Sequence, residues 1–133
     1  MNKKRKIRVG LADDEIHIRM LMKKVFMSMN CEIVGEAKNG SEAVELFRKE
    51  KPDILFLDIN MPVKTGEEAL KEIIEEFPDA FIIMLTSIAD MEIVEKCLKA
   101  GAVNYIRKDT PLNELKEIVK ETWNLLKKRG SDA

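Results

Sequence analysis

Residues 54–77 read ILFLDINMPVKTGEEALKEIIEEF, and this stretch predicts a strand, a connection and a helix in succession. Its first four residues are continuously apolar, as in a parallel strand that helices cover on both faces. Thr65 stands three residues before Glu68, which is the pattern of a capping box at a helix start near residue 66. Apolar residues then recur at three- and four-residue steps. The stretch therefore predicts a β-then-α unit whose strand ends at Asp58.

The same alternation of a short apolar strand and a longer helical segment occurs five times along the chain. The predicted strands are Ile7 to Ala12, Cys31 to Ala37, Ile54 to Asp58, Phe81 to Thr86, and Asn104 to Arg107. Thr110 before Pro111 marks another helix start, as an N-cap followed by proline in the first turn. Because crossovers between parallel strands are right-handed, the helices must cover both faces of the sheet. The predicted fold is α/β, a doubly wound parallel sheet of five strands, (βα)5.

Length and composition are those of one globular domain. The chain has 133 residues, of which 45% are hydrophobic, enough for a single core. We expect a basic N-terminal tail over residues 1–6, the domain over 7–128 and a C-terminal tail over 129–133. With 23 basic and 24 acidic residues, the chain carries no broad basic footprint for nucleic acid.

Several functional classes are disfavoured by what the sequence lacks. No apolar stretch is long enough for a membrane span or a signal-peptide core, so a cytoplasmic protein is expected. His17 is the only histidine, which excludes a histidine-built metal site and a catalytic Ser-His or Cys-His arrangement within one chain. Cys31 and Cys97 lack CxxC spacing and are expected to be reduced, buried apolar residues.

Five polar residues stand at predicted strand ends: Asp13 and Asp14 after the first, Asp58 on the third, Thr86 on the fourth and Lys108 after the fifth. Singly, an Asp before a helix is usually a cap, and a Thr at a strand end is usually structural. Together, three carboxylates in one crevice repel each other unless a cation or protons neutralise them. Mg²⁺ suits such a site because it takes a few carboxylates and keeps positions open for a phosphoryl oxygen.

Four motifs share the spacing of one known family. They are the acidic pair Asp13-Asp14, the Asp-x-x-Met-Pro-x-x-x-Gly pattern from Asp58 to Gly66, the hydroxyl pair Thr86-Ser87, and Tyr105 three residues before Lys108. The chain resembles the response regulator receiver family, the CheY-like domains of two-component signalling, from Ile7 to about Leu126. The resemblance implies the strand order 2-1-3-4-5.

By that resemblance, Asp58 accepts a phosphoryl group from a histidine kinase or phosphotransfer protein. Asp14 is then a direct Mg²⁺ ligand and Asp13 a mostly water-mediated one, while Asp58 and the backbone carbonyl of Asn60 complete the metal site. Lys108 and Thr86 contact the phosphoryl group. The family is a phosphoacceptor switch that catalyses only its own phosphoryl transfer and dephosphorylation.

The resemblance also implies a switch and a partner surface. Thr86 moves toward the phosphoryl group, and Tyr105 swings into the space that it vacates; a partly buried Tyr105 that does not move is the alternative. The altered surface lies around the fourth helix, the fifth strand and the fifth helix, from Met91 to Leu126. It signals to a downstream protein or output domain, without direct binding of nucleic acid or membrane by this chain.

The sequence departs from the family at Asp109, where proline usually follows the lysine. The family's Lys-Pro bond is typically cis, whereas a non-proline cis bond costs roughly 2.5–4 kcal/mol, so we expect a trans Lys108-Asp109 bond. Lys108 must then reach the site through its side-chain rotamers and a reshaped loop. The Tyr-x-x-Lys-Asp form resembles receivers of regulators with a helix-turn-helix output domain; a stand-alone receiver and a piece of a longer regulator both remain open.

Three other classes of protein fit the sequence less well. A haloacid-dehalogenase-type enzyme needs a second Asp two residues after its nucleophile, where this chain has Asn60. A flavodoxin-like electron carrier needs a hydroxyl- and glycine-rich phosphate loop after the first strand, and the acidic stretch from Asp13 to Glu15 would repel a flavin phosphate. A receiver that works without phosphate is disfavoured because every expected reactive position is filled.

Overall fold

Five strands alternate with five helices along residues 6–87 and 90–131, the part of the chain that this computed structural model describes. The strands are β1 (Ile7–Ala12), β2 (Cys31–Ala37), β3 (Ile54–Asp58), β4 (Ile82–Thr86) and β5 (Asn104–Arg107). The helices are α1 (Ile16–Ser28), α2 (Gly40–Glu50), α3 (Gly66–Glu76), α4 (Met91–Ala100) and α5 (Leu112–Ser131).

The sheet is parallel throughout, with the order β2-β1-β3-β4-β5, which confirms the predicted doubly wound fold. Four strands have the predicted bounds, and β4 begins one residue later, at Ile82. The helix α5 continues to Ser131, so the predicted boundary at residue 128 lies inside it. Strand order reverses between β1 and β3, and in such sheets ligands bind beyond the carboxyl ends of the strands at that point.

Two apolar layers hold the sheet from opposite faces. The layer beneath α1 and α5 contains Phe26, which lies 4.8 Å from Phe56 of β3 between ring centroids. The opposite layer, beneath α2, α3 and α4, contains Leu70 and Val94. All five residues of β3 and of β4 are buried, because helices cover both faces of these central strands. The ends of β3 and β4 are therefore held rigidly by the core.

Local signals in the sequence set the helix starts on the side of the strand ends. Thr65 and Glu68 form the predicted capping box at the start of α3. Asn39 caps α2 by accepting a hydrogen bond from the Glu42 backbone N–H at 2.8 Å. Such caps typically contribute about 1 kcal/mol each. They fix where the helices begin relative to the edge of the sheet.

Cys31 and Cys97 are both free and buried, as predicted. Within the described ranges, every helix is too short or too polar to cross a membrane.

Candidate functional site

The carboxyl ends of the strands bring the predicted polar residues to one edge of the sheet. Asp58 pairs in register with Leu85, one residue before Thr86 on β4. The backbone N–H of Lys108 donates a hydrogen bond of 2.8 Å to the Thr86 carbonyl, which places Lys108 just beyond β5. On the other side, the Asp13 backbone N–H donates to the Ala37 carbonyl at 2.9 Å. Backbone hydrogen bonds and strand register thus bring these residues to the crevice between β1 and β3.

Three carboxylates meet in that crevice. Oxygen atoms of Asp13, Asp14 and Asp58 all lie within 4.8 Å of one another. Asp13 is only 1% exposed and Asp58 only 2%, whereas Asp14 is exposed at the surface. Negative charges at this separation raise each other's energy, most strongly where water is excluded. The cluster is therefore stabilised by a compensating positive charge or by protonation of a carboxylate.

Lys108 supplies part of that charge. Its Nζ lies 3.1 Å from Asp13 Oδ2, 3.1 Å from Asp58 Oδ2 and 3.3 Å from Glu15 Oε1. Apart from this ammonium group, neither Oδ2 atom has a hydrogen-bond partner among the described residues. The Lys108-Asp109 bond is trans, as predicted. A flexible lysine side chain thus reaches the crevice without the cis geometry.

The pKa values show that one lysine does not neutralise the site. Burial, and then the negative charge of Asp13, raise the pKa of Asp58 from 3.8 to about 7, against the opposing effect of Lys108. Burial also raises the pKa of Asp13. Although burial favours a neutral lysine, the charges of Asp58 and Asp13 raise the pKa of Lys108 above its usual value. The site therefore favours an additional cation when both carboxylates are ionised.

The donor atoms match a hard cation. The cluster offers carboxylate oxygens, and its two buried Oδ2 atoms have free lone pairs apart from Lys108. Oxygen-only donor sets with open positions suit Mg²⁺ rather than softer metals, which prefer imidazole or thiolate ligands. The residues present therefore fit a magnesium ion.

The connection after β3 is shaped by close backbone contacts. The Asn60 backbone N–H donates to Asp58 Oδ1 at 3.2 Å, and the Gly66 N–H donates to the Ile59 carbonyl at 2.8 Å. A Cβ atom on Gly66 would lie 2.0 Å from the Asp58 carbonyl oxygen, so only glycine fits there. Val63 has φ of 70°, a strained value for a β-branched residue, and is 83% exposed. Strain of this kind is common at functional sites.

The two predicted switch residues lie on neighbouring strands. Thr86 is buried, and its hydroxyl donates to the Ser87 carbonyl at 2.9 Å rather than to Asp58. Tyr105 is half-buried against the apolar layer beneath α4. The structure describes one arrangement of this pair, so their movement stays a prediction.

Sequence reasoning missed two acidic residues beside the site. The carboxylate of Glu15 contacts Lys108, and that of Asp90 accepts hydrogen bonds from Asn60 Nδ2 at 2.8 Å and Ser87 Oγ at 3.2 Å. Glu15 directly follows the acidic pair, so its position beside them was a usable signal. Asp90 stands 30 residues from Asn60, and no spacing in the sequence indicates that contact.

One known protein family matches most of the chain. Residues 9–120 match the family described as the response regulator receiver domain. The chain belongs to this family. Receiver domains are the phosphoryl-accepting switches of two-component signalling, and they generally bind Mg²⁺. The predicted family and its general function are therefore confirmed.

Curated relatives include both short and long proteins. The chemotaxis protein CheY of Thermotoga maritima is 41% identical over 101 residues, covering 76% of this chain and 84% of that protein. CheY of Halobacterium salinarum is 44% identical over 100 residues, covering 75% and 82%. The transcriptional regulatory protein YhcZ of Bacillus subtilis is 40% identical over 82% of this chain, which spans only 51% of YhcZ.

Solved structures share the fold closely. The receiver (REC) domain of AraT from Geobacillus stearothermophilus has a TM-score of 0.86 at 28% identity, over 95% of this chain and 99% of that chain. CheY of Borrelia burgdorferi, solved as a CheX-CheY complex with BeF3 and Mg²⁺, has a TM-score of 0.83 at 28% identity, over 88% of this chain and 89% of that chain.

Proposed function

We propose that Asp58 is the residue that accepts the phosphoryl group, from a histidine kinase or a phosphotransfer protein. The observation that carries this assignment is the position of its Oδ2 atom, which is buried at the end of the central strand β3 and lies 3.1 Å from Lys108 Nζ. Asp13 has the same lysine contact, but it follows strand β1, whereas Asp58 ends strand β3 at the centre of the sheet. Asp58 is also the residue that begins the Met-Pro motif.

The chain's own residues supply the parts that phosphoryl transfer needs. A carboxylate oxygen of Asp58 attacks phosphorus, the bond from phosphorus to the donor nitrogen breaks, and the donor imidazole leaves with that electron pair. Lys108 offsets the charge on the phosphoryl oxygens. The Thr86 hydroxyl donates to one of these oxygens after it leaves the Ser87 carbonyl. We infer that the chain catalyses only its own phosphoryl gain and loss.

Asp13, Asp14, Asp58 and the backbone carbonyl of Asn60 are the residues that would hold Mg²⁺. When bound, the ion supplies positive charge that neutralises the carboxylates and the phosphoryl oxygens. The clustered carboxylate oxygens and the unpartnered lone pairs of the buried Oδ2 atoms support this assignment. The exposed position of Asp14 leaves it accessible from solvent.

The surface formed by α4, β5 and α5, from Met91 to Leu126, is the proposed contact for a downstream protein or output domain. Apolar side chains are exposed on its helices, at Met91, Leu98, Leu112 and Leu125. Movement of Thr86 and Tyr105 would change this surface because Tyr105 lies on β5 between the two helices. The free thiols agree with a cytoplasmic location, where such partners are found.

The assignment of Asp58 is tested by incubating the chain with Mg²⁺ and phosphoramidate and measuring the intact mass. We expect one labile phosphoryl addition that requires Mg²⁺ and is absent from Asp58→Asn, whose amide cannot act as the nucleophile. Asp13→Asn is the matched control, because Asp13 is equally buried and has the same distance to Lys108. That variant should be labelled slowly but still be labelled; full labelling of Asp58→Asn would contradict the assignment.

The partner surface has a separate test. Amide NMR spectra recorded with and without beryllofluoride and Mg²⁺ should show shifts along α4, β5 and α5, including Tyr105. Shifts confined to the strand ends would show that the site does not communicate with this surface.

A further inference from the structure

Glu15 occupies an unusual position for a residue at a helix start. It is the N-cap residue of α1, yet its side chain makes no capping hydrogen bond to the helix. Its carboxylate instead contacts Lys108 Nζ at 3.3 Å, across 93 residues of sequence. Glutamate is not among the residues that usually cap a helix, so its side chain is available for another contact. The partner of the Glu15 carboxylate is therefore the Lys108 ammonium group and not an N–H group of α1.

The backbone of Glu15 is held in place independently of its side chain. Its N–H donates to Asp13 Oδ1 at 2.8 Å, and its carbonyl accepts from the N–H groups of Ile18 and Arg19 at 3.1 and 3.2 Å. The carboxylate therefore projects from a fixed point at the rim of the acidic cluster. It remains 45% exposed, whereas the two other carboxylates that contact Lys108 are buried.

The neighbours of Lys108 along the chain do not direct its side chain, so its position depends on the carboxylates that it contacts. Asp109 follows it through a trans bond, and the Asp109 carboxylate pairs with Arg107 at 2.8 Å rather than with Lys108. A lysine has four flexible methylene groups and a point charge, so its ammonium group is poorly fixed by its own backbone. The buried Asp13 and Asp58 attract it from below, and Glu15 attracts it from the rim.

We propose that Glu15 is a positioning residue for Lys108, holding the ammonium group at the mouth of the crevice where it meets the phosphoryl group on Asp58. This inference rests on the proposed function of Asp58 and Lys108. Glu15 itself does not contact the reacting atoms, and it acts through the orientation of Lys108. A proline after the lysine would otherwise help to orient the Lys108 side chain. In this chain, Glu15 takes over part of that role.

A purely electrostatic role for Glu15 predicts the opposite result on removal. Deleting a negative charge near the site should speed the reaction with an anionic phosphoryl donor. Loss of positioning should slow the reaction, since small displacements of a charge-stabilising group reduce rates strongly. Glu15→Gln separates the two roles, because glutamine has the same length and keeps an oxygen that accepts from Lys108 while losing the charge.

The test is the rate of phosphorylation by phosphoramidate at saturating Mg²⁺, measured by intact mass. We expect Glu15→Ala to be roughly tenfold slower than the unaltered chain and Glu15→Gln to remain within about threefold of it. Glu75→Ala is the matched control, because Glu75 is an exposed carboxylate in the last turn of α3, at the opposite end of the sheet. It should leave the rate unchanged.

The Lys108→Ala background shows whether Glu15 acts through the lysine. There, adding Glu15→Ala should cause no further loss of rate. A rate for Glu15→Ala equal to or above that of the unaltered chain, or equal losses in Glu15→Ala and Glu15→Gln, would overturn the positioning role. Absence of label on the unaltered chain would instead overturn the proposed function of Asp58, and this inference with it.

A second readout does not depend on phosphorylation. Urea unfolding in EDTA of the unaltered chain, Glu15→Ala, Lys108→Ala and the double variant forms a double-mutant cycle, because each single substitution removes the contact. Since the pair is partly exposed, we expect a favourable coupling of about two- to fivefold in the unfolding equilibrium constant. Additive effects of the two substitutions would show that no contact exists between them in solution.

Discussion

Replacing Asp58 by asparagine should stabilise the metal-free protein even though it removes the proposed phosphoacceptor. The ionised Asp58 carboxylate is buried, lies beside Asp13, and is incompletely compensated by Lys108. An amide of nearly the same shape carries no charge, so it avoids both the desolvation of Asp58 and its repulsion by Asp13. The substitution therefore shows how much the Asp58 charge destabilises the fold, separately from the role of Asp58 in phosphorylation.

The pKa of Asp58 sets the size of the effect. A rise from 3.8 to about 7 corresponds to about 4 kcal/mol that the folded state loses when the carboxylate ionises. Because the folded-state pKa is raised, the folded metal-free protein retains its proton at higher pH than the unfolded chain. Its stability should therefore fall as the pH rises from about 4 through about 7. At pH 8 we expect Asp58→Asn to be more stable by about 2 to 4 kcal/mol.

Urea unfolding in EDTA between pH 5 and pH 8 measures both the stability difference between the two proteins and the pH dependence of each. The variant should show a weaker pH dependence than the unaltered chain, and the difference in stability should shrink toward pH 5. Adding Mg²⁺ should stabilise the unaltered chain more than the variant. Asp14→Asn is the matched control, because Asp14 belongs to the same cluster but is exposed, and its gain in EDTA should be smaller. A variant that is less stable than the unaltered chain at pH 8 would refute this reasoning.

Four further substitutions and treatments test other parts of the structure. Gly66→Ala should destabilise the fold by about 3 kcal/mol in urea unfolding, because its Cβ would meet the backbone carbonyl of Asp58; unchanged stability would contradict that contact. Val63→Gly should stabilise it by about 1 kcal/mol by relieving the positive φ, and a loss of stability would count against strain. Cys97 should react with a thiol reagent at pH 8 only upon unfolding, because burial raises its pKa to about 11; rapid reaction of the folded chain would contradict its burial. Asp14→Ala should keep the fold but lose most Mg²⁺ affinity, so an unchanged Mg²⁺ titration would remove Asp14 from the metal site.

The strand ends could be predicted from the sequence because two simple rules determine them. Continuous apolar runs mark buried parallel strands, and the topology then brings all their carboxyl ends to one edge. These rules predict that Asp58, Thr86 and Lys108 lie together at that edge. The trans bond at Lys108-Asp109 could also be predicted, because the free-energy cost of a non-proline cis peptide bond is a local property.

Contacts between loops were not predictable in the same way. The contacts of Glu15 with Lys108 and of Asp90 with Asn60 join residues that are distant in sequence, and neither carboxylate caps the helix at whose start it lies. The positive φ of Val63 depends on the packing of the whole connection after β3. Such features follow from tertiary packing, which overrides local preference.

Mapping the phosphorylated residue tests the central claim most directly. The chain is phosphorylated by phosphoramidate with Mg²⁺, the acyl phosphate is trapped by borohydride reduction, and the altered residue is located by tandem mass spectrometry. The structure predicts reduction of Asp58 alone to homoserine, with no change at Asp13 or Asp14. Modification of another residue at comparable yield, with Asp58 unaltered, would contradict the account.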